Sequence, residues 1–545
     1  MARIHHVEEL DDVGLARLVA ARDDVLVLER SVTGGAGRPT GPDSSELPAE
    51  GAVELTAEHG PFTSYRRRVS WQRSASGRHE VAQEVEFRLA IPYWSPLYAP
   101  VVRRALRRGV RPGTTPWWST PDRLSARQST VVATMCLFNL VAGLLYGLLT
   151  QVLTFVAADL GDGSRSEQTS LLAVARLGVV VTVVAMVIAD RKGRRRVAIW
   201  SFAAAGVLTV LTALAPSYWA VGGLQLVSRN LAIAGLLCVD TIAVEELPAG
   251  SRAMATGLGT LAYGLGAGIV VMTLPLTDLG PWGWRLTFVL AGVALPMIWH
   301  ARRHLPESGR FERHRAQLDG PPAGDVVVES RRIHGGRFVL LAAMFFLLNV
   351  FVAPASQLQN DYLRTEHAFS GLLITIFVLA TSTPAGLGVL LGGRVADVRG
   401  RRAAIVPGLL AIGVFQAIFF AVGGPLMWVT SLFAAVIGSM SVPAMGVIAP
   451  ELFPTAHRGG VRGALTAIAV AGSVTGLVVA GAVIDAPSGG YALAFALLAA
   501  APVVAAGLAL AIPETRGREL EELNREAPVP PTSPAPRPGS PRPSP

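Results

Sequence analysis

The chain has 545 residues, 51% of them hydrophobic and only 16% charged, with a mean hydropathy of +0.44 and a formal net charge of +9. A soluble protein of this length carries more charge, so the composition excludes a soluble globular enzyme and points to a membrane protein. The positive balance does not indicate nucleic acid, because the arginines gather in loops on one side of the apolar runs, as the positive-inside rule requires.

Residues 1–118 are not membrane-like, and the polar stretch Met1 to Asp12 holds no signal peptide. Asp12 to Arg22 reads as a short helix, Val25 to Leu28 as a strand, and the Gly/Pro/Ser-rich stretch Gly34 to Gly51 as a loop. Tyr65, Val69 and Trp71, and then Glu84 to Ile91, alternate with the period of a half-buried strand. Two readings stay open for this extension: a small cytoplasmic α+β domain, or a partly disordered segment. Tyr98 to Arg108 interleaves Val101, Val102 and Leu106 with Arg103, Arg104, Arg107 and Arg108. It reads either as a basic amphipathic helix on an anionic cytoplasmic leaflet or as a solvated helix of the extension.

Twelve apolar runs follow, at 129–157, 168–190, 196–215, 218–244, 254–276, 284–304, 338–360, 370–396, 403–423, 427–448, 461–484 and 490–512. Crossing a bilayer takes about 20 residues, and in lipid such runs must be helices to bond their own backbone. The expected fold class is an all-α membrane protein: twelve transmembrane helices in two pseudosymmetric six-helix bundles, at 119–305 and 338–516. A cytoplasmic linker, 306–337, joins them, and a Pro-rich tail, 517–545, reads as disordered. The arginine loops put both termini in the cytoplasm of a plasma (inner) membrane. Cys136 and Cys238 fall inside runs and read as small apolar packing residues. No metal-ligand spacing or catalytic triad stands out. The sole lysine, Lys192, is not in a phosphate-binding loop. The expectation is therefore no cofactor, no metal, no nucleic-acid partner and no enzymatic activity, in a monomer whose partners are the lipid bilayer and a small solute.

Charged marks at the ends of the runs repeat at one offset. Asp190-Arg191-Lys192-Gly193-Arg194-Arg195 recurs as Asp397-Val398-Arg399-Gly400-Arg401-Arg402, 207 positions on. Glu245, Pro248 and Arg252 recur as Glu451, Pro454 and Arg458, 206 on, and Pro306-Glu307-Ser308 as Pro513-Glu514-Thr515, 207 on. One period across three marks means a duplicated half. At these residues the chain resembles the major facilitator superfamily, whose signature Gly-x-x-x-Asp-Arg-x-Gly-Arg-Arg is matched at Asp190, Arg191, Gly193, Arg194 and Arg195, with Met186 for the leading glycine. The second copy has that glycine, Gly393, with Asp397, Gly400 and Arg401, but Val398 for the first arginine. Pro450-Glu451-Leu452-Phe453-Pro454-Thr455 and Pro513-Glu514-Thr515-Arg516-Gly517 are similar to the sugar porter and the organic-ion and metabolite branches. The resemblance implies that Asp190 braces one conformation by contacting the opposite half. Glu245 with Arg252, and Glu451 with Arg458, are expected as parallel charge pairs that form when the pore opens outward.

Ionisable and amide side chains inside the runs are the substrate or coupling candidates, because burying them in lipid is costly. These are Asn139 in span one, Arg176 in span two, Arg229, Asn230 and Asp240 in span four, and Asn349, Gln357, Gln359 and Asn360 in span seven. Two arginines favour an anionic substrate, since guanidinium pairs bidentately with carboxylate. Arg229 is expected to bind that carboxylate or to act with Asp240 in proton coupling. Gln225 stands where sugar porters carry arginine, and span one has no carboxylate between Val131 and Ala158, which argues against a sugar:proton symporter. The reading is transport of a small polar solute, an organic anion or metabolite, with or without a coupled proton. Its rivals are a drug or metabolite exporter and, in another class, a membrane sensor that relays occupancy through residues 1–118.

Overall fold

The computed structural model describes residues 2–32, 48–74, 77–108, 115–116, 118–161, 178–319, 335–369, 371–455 and 457–523. The extension is built on one antiparallel sheet of β1 (Ala2–Leu10), β2 (Leu28–Ser31), β3 (Glu50–His59), β4 (Phe62–Arg73) and β5 (His79–Leu89), in the order β1-β5-β4-β3-β2. Alternation turns one face inward: Tyr65, Arg67, Val69 and Trp71 of β4 and Val81, Val85 and Phe87 of β5 are all buried, the pattern of a sheet covered on one side. Val69 lies opposite Gln83 and Trp71 opposite Val81. Two helices cover that face. α1 (Asp12–Val19) uses Leu15 and Val19, and its start is capped by Asp11, which accepts from the Gly14 amide. α2 (Ser95–Arg108) uses Val102 and Leu106, so its apolar side is spent on the sheet. Over its described residues the extension is an α+β layer.

The strand expected over Val25 to Leu28 is instead mostly a turn. Asp24 Oδ1 accepts from the Leu26 and Val27 amides at 2.8 and 3.0 Å, and the ladder begins only at Leu28. β1 carries little sequence signal because, as an edge strand, it buries only Ile4. Under the sheet, Glu29 is buried and ion-paired with Arg67 at 2.6 Å, and it accepts from the Tyr65 hydroxyl at 2.5 Å. Burial, then the adjacent carboxylate, hold that hydroxyl's pKa far above the usual tyrosine value.

The bundle begins with α3 (Ala126–Leu160), opened by a capping box in which Ser125 and Gln128 satisfy each other's amides. α4 (Val179–Lys192) covers the described part of the second expected span. The rest of that span, Arg176 included, lies outside the described residues. The first half continues with α5 (Arg194–Thr212), α6 (Tyr218–Glu246), α7 (Arg252–Thr273) and α8 (Gly283–Ala301), and a short helix α9 (Gly309–Asp319) follows. The second half is α10 (Gly335–Thr365), α11 (Ile376–Val398), α12 (Arg401–Phe419), α13 (Gly424–Leu452), α14 (Arg458–Ile484) and α15 (Tyr491–Ala509). Among the described residues, eleven helices are long and apolar enough to cross a membrane; α4 is not counted among them. The halves meet where α4 packs on α14, α7 on α11, and α6 and α7 on α13.

Candidate functional site

The repeated motif is a helix end, a left-handed glycine and a helix start. Gly193 and Gly400 have φ of 99° and 113°, a region side chains avoid, and each links two helices end to end. A Cβ at either would lie 2.6 Å from a carboxylate oxygen, of Glu307 or of Glu514. Those two acids explain the Pro-Glu-Ser/Thr repeat. Glu307 accepts from the amides of Arg194 and Arg195 at 3.2 and 3.1 Å, and Glu514 from Arg401 at 2.9 Å, so each caps the helix behind the glycine. Burial raises the pKa of Glu307, opposed by the Ser308 and Arg195 amides.

Each motif aspartate reaches into the other half. Asp190 accepts from the Gly459 and Gly460 amides at 2.9 and 2.7 Å, at the start of α14. Asp397 accepts from Ala253 and Met254 at 3.1 and 2.8 Å, at the start of α7. A carboxylate at the C-terminus of its own helix is disfavoured by that helix's dipole, and the N-terminus of a second helix offsets the cost. Around Glu245, Arg458 pairs at 2.7 Å and Arg194 at 3.1 Å. Around Glu451, Arg401 pairs at 2.8 Å and Arg252 at 3.7 Å. The expected pairs are therefore exchanged. Glu245 meets Arg458 rather than Arg252, and Glu451 meets Arg252 and Arg401 rather than Arg458. Two copies related by a pseudo-twofold meet so that residue i of one touches residue j of the other. Arg191 is exposed and outside both clusters.

Deeper in the bundle, Arg229 is 7% exposed. Its guanidinium lies 4.1 Å from the centre of the Tyr146 ring, a cation–π contact, and donates to Thr150 Oγ1 at 3.3 Å. Tyr263 stands beside Tyr146, with ring centres 6.5 Å apart. No acidic partner reaches Arg229 among the described residues. Asp240, eleven residues on, does not either. It accepts from Asn139 Nδ2 at 3.0 Å and faces Arg462 Nη2 of the other half at 3.7 Å. Arg462 also donates to Leu237 O and Thr241 Oγ1, at 3.1 and 3.0 Å. Arg462 is the buried charge of this cluster that the sequence does not single out. It reads as a loop charge beside Arg458, but one turn of helix carries it inward.

The remaining candidates separate. Asn230 bonds to Leu226 O of its own helix at 2.8 Å. Asn349 bonds to Phe345 O at 2.9 Å and lines a cavity of about 340 Å³ with Arg462, Ser441 and Thr466. Gln357 and Asn360 are exposed and Gln359 half-buried, away from that cavity. Gln225, at the sugar-porter arginine position, is fully buried and donates to Thr212 Oγ1 of α5 at 2.9 Å, so it faces a neighbouring helix.

The extension is tied to both halves. Trp94 Nε1 donates to Ala133 O of α3 at 2.9 Å, and Arg394 of α11 donates to Thr115 O and Pro116 O at 2.6 and 2.7 Å.

Residues 338–541 match the family model described as Major Facilitator Superfamily. The chain is 26% identical to the cis,cis-muconate transport protein of Acinetobacter baylyi over 50% of its own length and 67% of that protein's. It is 25% identical to the citrate-proton symporter of Salmonella typhi over 40% of its length and 52% of the symporter's. It thus spans between half and two thirds of these curated relatives. Among solved structures, the proton:xylose symporter XylE shares the fold with a TM-score of 0.61 at 18% identity, over 73% of this chain and 98% of that one.

Proposed function

We propose that the chain, whose residues 338–541 match the Major Facilitator Superfamily model, is a member of that family and carries a small organic anion across the plasma (inner) membrane by alternating access. Twelve helices, in two six-helix halves, rock about a site at Arg229, with the charge clusters and both termini on the cytoplasmic side. The observation that carries this reading is the buried Arg229 guanidinium, stacked on Tyr146 and bonded to a hydroxyl, with no acid beside it among the described residues. A lone cation at mid-membrane is costly. A carboxylate substrate supplies the counter-charge and two charge-assisted hydrogen bonds. The relatives named for muconate and citrate support the same solute class.

The clusters close the cytoplasmic end in this arrangement. When the halves part there, Arg462 withdraws from Asp240, and a carboxylate left unpaired in lipid takes up a proton rather than stay charged. Asn139 is placed to accompany that change, as it already donates to Asp240.

Uptake of labelled muconate, citrate and uncharged sugars into proteoliposomes tests the reading. An acid is expected to accumulate, and Arg229→Gln to weaken its binding on the order of a hundredfold, as loss of a buried charge partner does. Unchanged affinity in Arg229→Gln removes Arg229 from the site. In Asp240→Asn a proton gradient is expected to stop driving accumulation while solute exchange persists. Continued proton-driven accumulation contradicts the coupling role.

A further inference from the structure

The seam between the extension and the bundle has no part in the transport reading. A cavity of about 280 Å³ opens there, walled on one side by Ser129 of α3 and Leu258 and Leu265 of α7, and on the other by Trp94, Tyr98 and Trp118. Its position along the helices fixes its depth. At 1.5 Å per residue, Ser129 lies about 5 Å into α3 and Leu265 about 20 Å into α7, so the groove runs along the span of a hydrocarbon core about 30 Å thick. Leu265 is 59% exposed on a membrane-spanning helix, so the groove is continuous with the surface that faces lipid tails.

Three further observations say what fills it. Trp94 and Tyr98 line it with amphipathic rings of the kind that favour a membrane interface, and the Trp94 indole is held by its bond to Ala133 O. Ser129 is only 5% exposed and its hydroxyl has no hydrogen-bond partner among the described residues, a donor waiting one turn below the helix start for an acceptor. Beside Tyr98, α2 exposes Leu97 (68%) and Val101, and then Arg103, Arg104 and Arg107, which have no acidic partner among the described residues. With Val102 and Leu106 already packed on the sheet, this second apolar-to-basic side of α2 is free to meet a membrane surface.

We propose that the groove is a lipid-binding site for a glycerophospholipid with an anionic headgroup, drawn from the leaflet on the extension's side. One acyl chain lies along α3 and α7, an ester carbonyl accepts from the Ser129 hydroxyl, and the phosphate meets the arginines of α2. The lipid would also touch the segment through Trp118 and Ser119, whose neighbours Thr115 and Pro116 accept from Arg394 of the opposite half. It is therefore placed to stiffen the joint between the extension and both halves.

The test is native mass spectrometry and thermal unfolding of the full chain in detergent, offered phosphatidylglycerol or phosphatidylcholine with identical acyl chains. Wild type is expected to retain phosphatidylglycerol in preference and to unfold at a higher temperature with it. Ala262→Phe, which fills the groove, should lose the retained lipid. Arg104→Gln with Arg107→Gln should weaken phosphatidylglycerol on the order of tenfold and leave the two lipids alike. Equal retention of both lipids by wild type, or undiminished retention by folded Ala262→Phe, overturns the proposal. If Ala262→Phe does not fold, the surface pair decides alone, and an unchanged preference for phosphatidylglycerol in it overturns the proposal.

Discussion

The two charge clusters occupy equivalent corners of the halves, yet they are bonded differently. Around Glu245 the tight contact crosses between halves, Arg458 at 2.7 Å, while the arginine of the motif itself, Arg194, is 3.5 Å from Asp190. Around Glu451 the tight contacts stay within one half: Arg401 lies 2.5 Å from Asp397 and 2.8 Å from Glu451, and the crossing arginine, Arg252, is at 3.7 Å. Gly459 and Gly460 meet Asp190, whereas Ala253 and Met254 meet Asp397. The first cluster binds the halves to each other. The second braces its own half with its shortest ion pairs and crosses through the aspartate–amide bonds and the longer contacts of Arg252 to Glu519 and Arg401 to Ala249 O, both 3.2 Å. A duplicated motif can thus keep its residues while the copies divide the work.

Removing each central acid should expose that division most strongly. Glu245→Ala takes the 2.7 Å carboxylate from buried Arg458 and leaves Arg194 only its longer contact to Asp190, 3.5 Å, a loss of about 3 to 5 kcal/mol. Glu451→Ala leaves Arg401 with Asp397 and Arg252 with Glu519 at 3.2 Å, a loss of about 1 to 3 kcal/mol. Thermal unfolding in detergent should therefore rank Glu245→Ala below Glu451→Ala. Equal midpoints would erase the asymmetry. Next in size are Asp190→Asn and Asp397→Asn, each of which removes a charge from a helix N-terminus and costs about 1 to 2 kcal/mol. Because Arg401 retains Glu451 when Asp397 is neutralised, the two should be alike in stability. Both should increase labelling of a cysteine introduced at the closed end, and unchanged labelling in both would deny them a closing role. The smallest effect expected is from Gly459→Ala. Its Cβ would lie 2.7 Å from both Asp190 Oδ1 and the Met186 carbonyl oxygen, so crowding costs about 1 kcal/mol, while Ala253→Gly at the matching position should leave the closed end undisturbed. A harmless Gly459→Ala would mean that the start of α14 has room to shift away from α4.

The sequence carried the span pattern and the repeat because lipid forces long apolar runs and the offset of 206 or 207 is read directly from Asp190, Glu245 and their counterparts. It did not carry the pairing. Glu245 and Arg252 lie near each other along the chain, and only the pseudo-twofold sends Arg252 to Glu451 instead. Arg462 stayed hidden for a related reason: a charge at a helix start reads as a loop signal until its neighbour across the interface, Asp240, is known. α2 could not be assigned from its pattern because a sheet and a membrane ask for similar apolar residues. In the structure Val102 and Leu106 take the sheet while Leu97 and Val101 remain outside. Within the candidate site, Arg229 was legible as an intramembrane charge, but its ring partner Tyr146 belongs to another helix and comes only from packing.

The account turns on the charge clusters holding the two halves together at one end. Pulsed electron paramagnetic resonance between spin labels at Lys192 and Arg399, both exposed at that end, measures it directly in proteoliposomes. Wild type should show a dominant short distance, and Glu245→Ala should transfer much of it to a longer one, more than Glu451→Ala does. A distance distribution that is the same in all three proteins would contradict the account.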